Sequence, residues 1–297
     1  MELSNRLETV GVTPVTPFSA DLTRVDRGGL VSNLRFLVEA GATVLYPAGN
    51  TGEVMSLAPE EWTTVVEAAL EAADGRAAVV PGVCHELPVA VGLAQRARTL
   101  GVDGLLLMPR VQPYADSSGI VEYWRRVADA GGLPVVAYRR GLPRDDDLVD
   151  FVTDELVVGC KYAGRDVAEF TTTVATAADR RADLVWTCGL AERYAPAYWA
   201  AGARGFTSGL ANFAPRVSLE LYGALAQGAA SRVEELRRAC VPFEELRARH
   251  GDAFNVPAVK RAMDAMGLAG GAVRPPLRDL DEPGRDDAAR LANQLVD

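Results

Sequence analysis

The run Leu156-Val157-Val158-Gly159-Cys160-Lys161-Tyr162 is apolar up to its last two residues and has no strict polar alternation. This pattern is typical of a parallel strand that is buried on both faces of a sheet. Similar runs recur along the chain, each followed by a turn and an amphipathic stretch. We therefore predict eight strands, at residues 10–14, 42–46, 78–82, 104–108, 134–138, 156–161, 183–188 and 205–208.

Helical patterns lie between these runs, and several end at a glycine such as Gly41, Gly101 or Gly202, which is a common stop signal. Eight strand–helix steps at roughly 20–35 residue spacing predict an α/β fold, a (β/α)8 TIM barrel rather than an open sheet. After residue 208 the pattern is only helical. We predict a catalytic barrel over residues 1–225 and a C-terminal helical domain over residues 226–297.

The composition excludes several classes of function. The chain carries 31 Lys and Arg against 40 Asp and Glu, and the resulting net charge of −9 does not suit a nucleic-acid backbone binder. No apolar run approaches the roughly 20 residues of a membrane helix, and the first residues show no apolar secretory segment. We expect a cytoplasmic protein with no nucleic-acid and no membrane partner.

Metal and nucleotide chemistry lack their usual motifs. Four widely spaced cysteines form no C-x-x-C pair, and two histidines cannot supply a three-histidine zinc centre. The glycine-rich dinucleotide motif, the P-loop, G-x-S-x-G and H-E-x-x-H are all absent. We expect no metal and no organic cofactor.

Lysine is rare in this chain, since only Lys161 and Lys260 are lysines among the 31 basic residues. A lysine at the end of a buried strand loses hydration, which favours the neutral amine, whereas arginine stays charged. A neutral amine can attack a ketone and form a Schiff base. The alternative is a structural lysine at the barrel rim that pairs with a carboxylate such as Asp166. We interpret Lys260, at the start of a C-terminal helix, as structural.

Other polar residues follow the ends of predicted strands, where TIM barrels place their reactive groups. Tyr138 could relay protons, or it could be an interior aromatic residue with its hydroxyl at the wet end. In the turn Gly49-Asn50-Thr51-Gly52-Glu53, backbone N–H groups and the Thr51 hydroxyl could hold a carboxylate, or the turn could only cap the next helix. Arg110, Arg139 and Arg140 could bind a second carboxylate, and His85 lies at the same rim.

These residues belong to a pattern that resembles the dihydrodipicolinate synthase/N-acetylneuraminate lyase family of class I Schiff-base lyases. The resemblance runs from about Gly11 to Met266. The motifs that carry it are Gly11-Val12-Thr13-Pro14-Val15-Thr16-Pro17-Phe18, Gly49–Glu53, Leu105-Leu106-Leu107-Met108-Pro109, Tyr138, Gly159-Cys160-Lys161, Phe206-Thr207-Ser208-Gly209-Leu210-Ala211-Asn212 and the helix 255–260.

The resemblance implies roles for individual residues. Lys161 would form the imine with a 2-keto acid, Tyr138 would relay protons, and Asn50 and Thr51 would hold the adjacent carboxylate between Gly49 and Gly52. Family members are usually homotetramers, so the resemblance also implies a homo-oligomer, a tetramer or a dimer.

The substrate branch is indicated by departures from the synthase motifs. Pro143 stands where synthases have a carboxylate-binding arginine, and Arg110 follows Pro109 where they have tyrosine. The dehydratase branch of the family, which acts on 5-dehydro-4-deoxyglucarate, is more similar to this chain in the segments around Gly189 and Ser208 and at Arg140. The resemblance to this branch implies that Gly189, Ser208 and Arg140 bind substrate. We therefore expect dehydration of a keto-deoxy sugar acid. Two alternatives are a pyruvate-dependent aldolase or condensing synthase, and a non-catalytic barrel that binds a keto acid.

Overall fold

Short apolar runs form one parallel sheet whose strands are buried on both faces, as their unbroken hydrophobicity predicts. The computed structural model describes residues 2–296, apart from the side chain of Asp145. In this part of the chain there are nine strands: β1 Val10–Val12, β2 Val44–Leu45, β3 Ala78–Val79, β4 Gly82–Val83, β5 Leu105–Leu107, β6 Val135–Arg139, β7 Val157–Tyr162, β8 Val185–Cys188 and β9 Gly205–Ser208.

The sheet closes into a barrel through β3 and β4, which are two halves of the third predicted strand. On one side of this segment, Gly82 N–H donates to the carbonyl of Pro47 at 2.9 Å. On the other side, Leu106 N–H donates to the carbonyl of Pro81, also at 2.9 Å. Pro81 lacks an N–H and therefore interrupts the strand. The chain thus has an eight-step (β/α)8 barrel, as predicted from the sequence.

Helices cover the outside of the barrel and then continue beyond its last strand. Their bounds in the described part of the chain are α1 Leu3–Arg6, α2 Arg27–Glu39, α3 Pro59–Ala73, α4 Leu87–Leu100, α5 Ser117–Gly131, α6 Asp145–Val152, α7 Val167–Ala178, α8 Ala191–Ala200, α9 Pro215–Ala226, α10 Ala230–Arg247, α11 Arg249–Asp252, α12 Asn255–Ala265 and α13 Glu282–Val296. Single 3-10 turns span Val54–Ser56 and Leu210–Asn212.

One of the barrel's outer helices, α6, was not predicted from the sequence, and of α2 only the end at Gly41 was predicted. The first turn of α2 contains Gly28 and Gly29, which lower helix propensity, and Asp26 compensates by accepting a hydrogen bond from Gly29 N–H at 3.1 Å. Helix α6 has only eight residues, too few to show a clear period. Tertiary packing against the barrel therefore decided α6 and the start of α2.

Buried apolar side chains form two clusters. The larger cluster fills the barrel and the space beneath its helices. The smaller one joins α10, α12 and α13, and it also includes Val15, Leu210 and Phe213 from the barrel side. The C-terminal helices therefore pack directly on the strand ends, and the domain boundary after residue 225 stays a prediction.

Candidate active site

Lys161 and Tyr138 lie side by side at the carboxyl ends of two neighbouring strands. They are register partners in the pairing of β6 with β7, so both side chains leave the same face of the sheet. Lys161 Nζ lies 4.3 Å from the centroid of the Tyr138 ring. The two residues are only 4% and 2% exposed. The structure therefore brings together the amine and the phenol that the sequence singled out.

Lys161 has no carboxylate partner among the described residues. Asp166, the alternative partner considered from the sequence, instead accepts hydrogen bonds from Ala168 N–H and Glu169 N–H and caps α7. Burial lowers the pKa of Lys161, the charge of Tyr138 opposes this change, and the positive charge of Arg140 adds to it. The result is an amine with a lowered pKa, which favours the nucleophilic form.

Tyr138 stands in an unusually positive environment for a buried phenol. Burial raises its pKa, but the charges of Lys161 and Arg140 and hydrogen bonds from Arg140 and Asn50 outweigh burial, and the net pKa is lowered. Asn50 Nδ2 donates to the Tyr138 hydroxyl at 3.3 Å. A phenol with a lowered pKa can accept and return a proton more readily near neutral pH.

The turn that contains Gly49, Asn50, Thr51 and Gly52 follows β2 at the same end of the barrel. Thr51 Oγ1 lies 3.1 Å from Thr13 Oγ1, and Gly52 O accepts from Thr16 Oγ1 at 2.7 Å. A Cβ atom on Gly52 would stand 3.0 Å from Pro14 O, so a side chain would push the turn away from the barrel. Among the described residues, the N–H groups of Asn50, Thr51 and Gly52 have no hydrogen-bond acceptor. Three successive free donors of this kind suit an anion.

The carboxylate of Glu53, the last residue of this turn, is held by the C-terminal part of the chain. Its Oε1 lies 2.5 Å from Lys260 Nζ, and both side chains have no exposure. Lys260 also donates to the carbonyl of Ala272 at 2.9 Å. The interpretation of Lys260 as structural is confirmed by these contacts.

Two cavities border the site, one lined by Gly189 next to Lys161 and the other lined by Tyr138. The arginine-lined cavity has a volume of about 310 Å³ and contains the side chains of Arg140, Arg165, Arg193 and Arg247 as well as the backbone of Gly189. A Cβ atom on Gly189 would stand 3.2 Å from Lys161 Cγ, so this glycine leaves room for the lysine. The cavity therefore adjoins the lysine through Gly189.

The second, apolar cavity has a volume of about 390 Å³ and contains Asn50 and Tyr138 among mainly apolar side chains: Val54, Met55, Met108, Pro109, Val111, Val256, Pro276 and Leu277. Arg140, Asp252 and Asn255 line both cavities. Arg140 Nη2 lies 3.5 Å from Asp252 Oδ2, so this pair borders both cavities.

Three other predicted rim residues lie outside the site. Arg139 pairs with Glu169 inside the barrel wall and stacks on the Tyr162 ring. Arg110 pairs with Glu86 at 2.5 Å, and His85 Nε2 is 3.3 Å from Leu57 O. Of the three arginines considered for a second carboxylate, Arg140 lines these two cavities and Arg110 and Arg139 do not.

Ser208 is fully buried, and its hydroxyl faces away from both cavities. Its Oγ lies 3.1 Å from Ser218 Oγ in α9 and accepts from Ala211 N–H at 2.8 Å. Only its carbonyl approaches the site, where it lies 3.0 Å from Thr13 Oγ1. This placement leaves the backbone of Ser208, not its hydroxyl, facing the site, and the prediction of Ser208 as a substrate-binding residue stays a prediction.

Several cavity residues were not predicted from the sequence, namely Arg165, Arg193, Arg247, Asp252 and Asn255. Arg165 follows the carboxyl end of β7 by three residues, which is a signal that could have found it. Arg247 and Asp252 come from the C-terminal helices, and no strand-end rule points to them.

Residues 2–296 contain no group of three or more His, Cys, Asp or Glu side chains that could hold a metal ion. Within the same residues, every helix is too short or too polar to cross a membrane. All four cysteines are buried thiols without a disulfide.

Comparison with known proteins gives consistent matches over the whole chain. The model of the dihydrodipicolinate synthetase family matches residues 6–295. A relative from Xanthomonas campestris pv. campestris (strain B100), named probable 5-dehydro-4-deoxyglucarate dehydratase, is 35% identical over 289 residues, which cover 95% of this chain and 92% of the relative. A relative of the same name from Rhizobium rhizogenes (strain K84) is 34% identical and covers 90% of this chain and 88% of its own.

Solved structures show the same fold. Dihydrodipicolinate synthase from Bacillus clausii has a TM-score of 0.93 at 31% identity and covers 98% of both chains. The synthase from Oceanobacillus iheyensis has a TM-score of 0.92 at 34% identity and covers 98% of this chain and 97% of its own. The Ruminococcus gnavus sialic acid aldolase, at 21% identity and a TM-score of 0.88, shares the fold.

Proposed function

The chain belongs to the dihydrodipicolinate synthetase family and is a lyase, and from this premise we propose that it dehydrates 5-dehydro-4-deoxyglucarate through a Schiff base on Lys161. The observation that carries the proposal is the buried Lys161 amine, free of any carboxylate among the described residues and 4.3 Å from the Tyr138 ring. The names of the curated relatives supply the substrate.

The first step is attack of the neutral Lys161 amine on the substrate ketone, and loss of the ketone oxygen as water then gives the protonated imine. The free N–H groups of Asn50, Thr51 and Gly52 bind the carboxylate next to this ketone, and Gly52 keeps the turn close to the barrel. The positive charge of the imine then acidifies the neighbouring carbon, since it withdraws electrons from it.

Tyr138 performs the proton transfers in this proposal. It stands beside Lys161, and Asn50 orients its hydroxyl. Loss of the proton beside the imine and of the hydroxyl on the following carbon releases water. Hydrolysis of the imine then frees the lysine. Gly189 contributes space beside the imine, and Arg140 contributes a positive charge for the far carboxylate.

Reductive trapping tests this mechanism. Sodium borohydride with pyruvate, or with 5-dehydro-4-deoxyglucarate, should give one covalent adduct, which peptide mass analysis should locate on Lys161 rather than Lys260. Recovery of unmodified protein with both ligands would remove the mechanism. Water release from 5-dehydro-4-deoxyglucarate, followed by product analysis, tests the substrate itself.

A pyruvate-condensing synthase is the second candidate, because two solved synthases share 31% and 34% identity with the chain over nearly its whole length. The same lysine and tyrosine would serve that chemistry. A panel of keto acids, with and without an aldehyde partner, separates the two, since a synthase or aldolase consumes or releases the aldehyde and a dehydratase releases water with no aldehyde partner.

We also propose that the protein is a cytoplasmic homo-oligomer, a tetramer or a dimer. Four reduced thiols suit the cytoplasm. Val111 and Tyr114, in the loop after β5, are 69% and 92% exposed, and such apolar exposure suits an interface between copies. Light scattering on the purified protein and cell fractionation test these two statements.

A further inference from the structure

Asp252 contacts two guanidinium groups at the barrel mouth. Its carboxylate oxygens accept from Arg165 Nη2 at 3.0 and 3.1 Å, and Oδ2 also lies 3.5 Å from Arg140 Nη2. One carboxylate therefore serves two arginines, which leaves one positive charge in excess. An additional anion at this position would be favoured electrostatically.

Arg140 and Arg165 stand close in sequence to the catalytic pair. Arg140 comes two residues after Tyr138, and Arg165 comes four residues after Lys161. Both line the arginine-lined cavity, which adjoins Lys161 at Gly189. The far end of a substrate bound as an imine on Lys161 can therefore reach the two guanidinium groups. The apolar cavity is lined by a single arginine, Arg140, whereas the arginine-lined cavity has four.

The remaining arginines of this cavity are less available for a ligand. Arg247 is 6% exposed, and it donates to Glu244 Oε1 and to Asn255 Oδ1. Arg193 lies 3.7 Å from Glu245. Arg165, with a side chain that is 65% exposed, is the most accessible of the four.

The segment that carries Asp252 has an uncommon backbone. His250, Gly251 and Asp252 have φ angles of 54°, 67° and 70°, so two non-glycine residues lie in the left-handed region. Such a turn is held by surrounding contacts, and the arginine pairs of Asp252 are among them. A ligand that takes over these arginines would leave the turn free to relax.

We propose that Arg165, together with Arg140, binds the distal carboxylate of a dicarboxylic keto acid, and that Asp252 is the internal carboxylate that this group displaces. The inference rests on the proposed function, because it assumes that the keto group reacts with Lys161. It makes Arg165 and Asp252 specificity-determining residues that distinguish dicarboxylic from monocarboxylic substrates.

The test uses two keto acids that differ only in the distal carboxylate, 2-oxoadipate and 2-oxohexanoate. For each, the concentration that gives half-maximal borohydride trapping on the full-length protein is measured. In wild type, this concentration should be lower for 2-oxoadipate by about tenfold or more, which is the size of effect expected from charge-assisted hydrogen bonds to one carboxylate. Arg165→Gln should remove most of this preference and leave 2-oxohexanoate unchanged.

Asp252→Asn serves as the second variant. It should strengthen the preference for 2-oxoadipate, because the side chain at position 252 no longer competes as an anion for the two arginines. Arg125→Gln is the matched control, because Arg125 forms a half-exposed pair with Asp154 away from both cavities. Arg125→Gln should change neither of the two half-maximal trapping concentrations.

Three results would overturn the inference: no preference in wild type, an unchanged preference in Arg165→Gln, or an equal loss for both keto acids in that variant. Pyruvate trapping distinguishes this failure from failure of the proposed function. If pyruvate traps on Lys161 but the preference is absent, only the inference is wrong; if pyruvate does not trap, the Schiff-base function is wrong.

Discussion

Lys260 Nζ contacts Glu53 Oε1 at 2.5 Å, with neither side chain exposed, whereas the equally buried Lys161 has no such partner among the described residues. Of the two lysines in the chain, Lys260 is therefore neutralised by a buried carboxylate and Lys161 is not. Loss of one partner of a buried pair leaves an uncompensated charge, which is strongly destabilising. Loss of an amine without a carboxylate partner leaves no such charge.

Replacement of each lysine by methionine should separate stability from activity. Lys260→Met should lower the free energy of unfolding by about 3–5 kcal/mol, because Glu53 stays buried without its partner. Lys161→Met should abolish turnover and keep the free energy of unfolding within about 1 kcal/mol of wild type. Urea denaturation and a turnover assay check both. Equal stability losses in the two variants would contradict this account.

Tyr138→Phe should lower turnover by about 10²- to 10⁴-fold, the usual contribution of a proton-transfer group. Pyruvate trapping on Lys161 should persist, since the amine remains. Tyr123→Phe is the matched control: its hydroxyl donates to His85 O at 2.9 Å, outside both cavities, so it should keep turnover and lose about 1 kcal/mol of stability. Wild-type turnover in Tyr138→Phe would dismiss the relay.

The rate of imine formation should rise with pH and level off below pH 10.5, the ordinary pKa of lysine, because burial lowers the pKa of Lys161. The charge of Arg140 lowers this pKa further, so Arg140→Gln should move the midpoint to higher pH. Cyanoborohydride trapping at saturating pyruvate measures the profile. A wild-type midpoint at or above 10.5 would contradict the assignment of a neutral nucleophile.

Ionisation of the buried Glu192 carboxyl group should lower the free energy of unfolding as pH rises. Burial raises its pKa to about 7, and the charge of Glu244 raises it too, against hydrogen bonds from Ser208 and Ser218. Between the ordinary value of 4.5 and about 7, the native state holds a proton that the unfolded state has lost. Stability is therefore full below 4.5 and falls by up to about 1.4 kcal/mol per pH unit in this window.

The variant Glu192→Gln tests this direction of the pH dependence, because its side-chain amide does not titrate. Urea denaturation at several pH values should show a flatter dependence in the variant than in wild type. An identical slope in the two proteins would show that Glu192 does not contribute to it.

Gly189→Ala should displace Lys161. The new Cβ would stand 2.9 Å from Ala163 Cβ, 3.0 Å from Tyr162 O and 3.2 Å from Lys161 Cγ. We expect a stability loss of about 1–3 kcal/mol and a fall in pyruvate trapping. Gly92→Ala, in α4 with open space around it, should gain about 0.5–1 kcal/mol and trap normally. Normal trapping by Gly189→Ala would show that this contact does not position the lysine.

The barrel could be predicted from the sequence because its strands are continuous apolar runs, and that pattern depends only on burial of both faces. Lys161 and Tyr138 could be found in the same way, since each ends such a run. The side chain of Ser208 could not be placed: it ends a predicted strand too, but its hydroxyl faces Ser218 in α9. Which side of a strand end faces the cavity depends on barrel closure and on the helix packed behind it.

The amino-acid sequence alone was enough to predict the order of the strands, most of the helices, the family and Lys161 as the candidate nucleophile, because local hydrophobicity and rare residue types carry that information. Tertiary structure alone decided the charge around that lysine and the shape of the cavities above it. Arg165 and Asp252 are 87 positions apart in the chain. Their contact exists only because the C-terminal helices fold back over the barrel mouth, and no local pattern encodes the meeting of two such distant side chains.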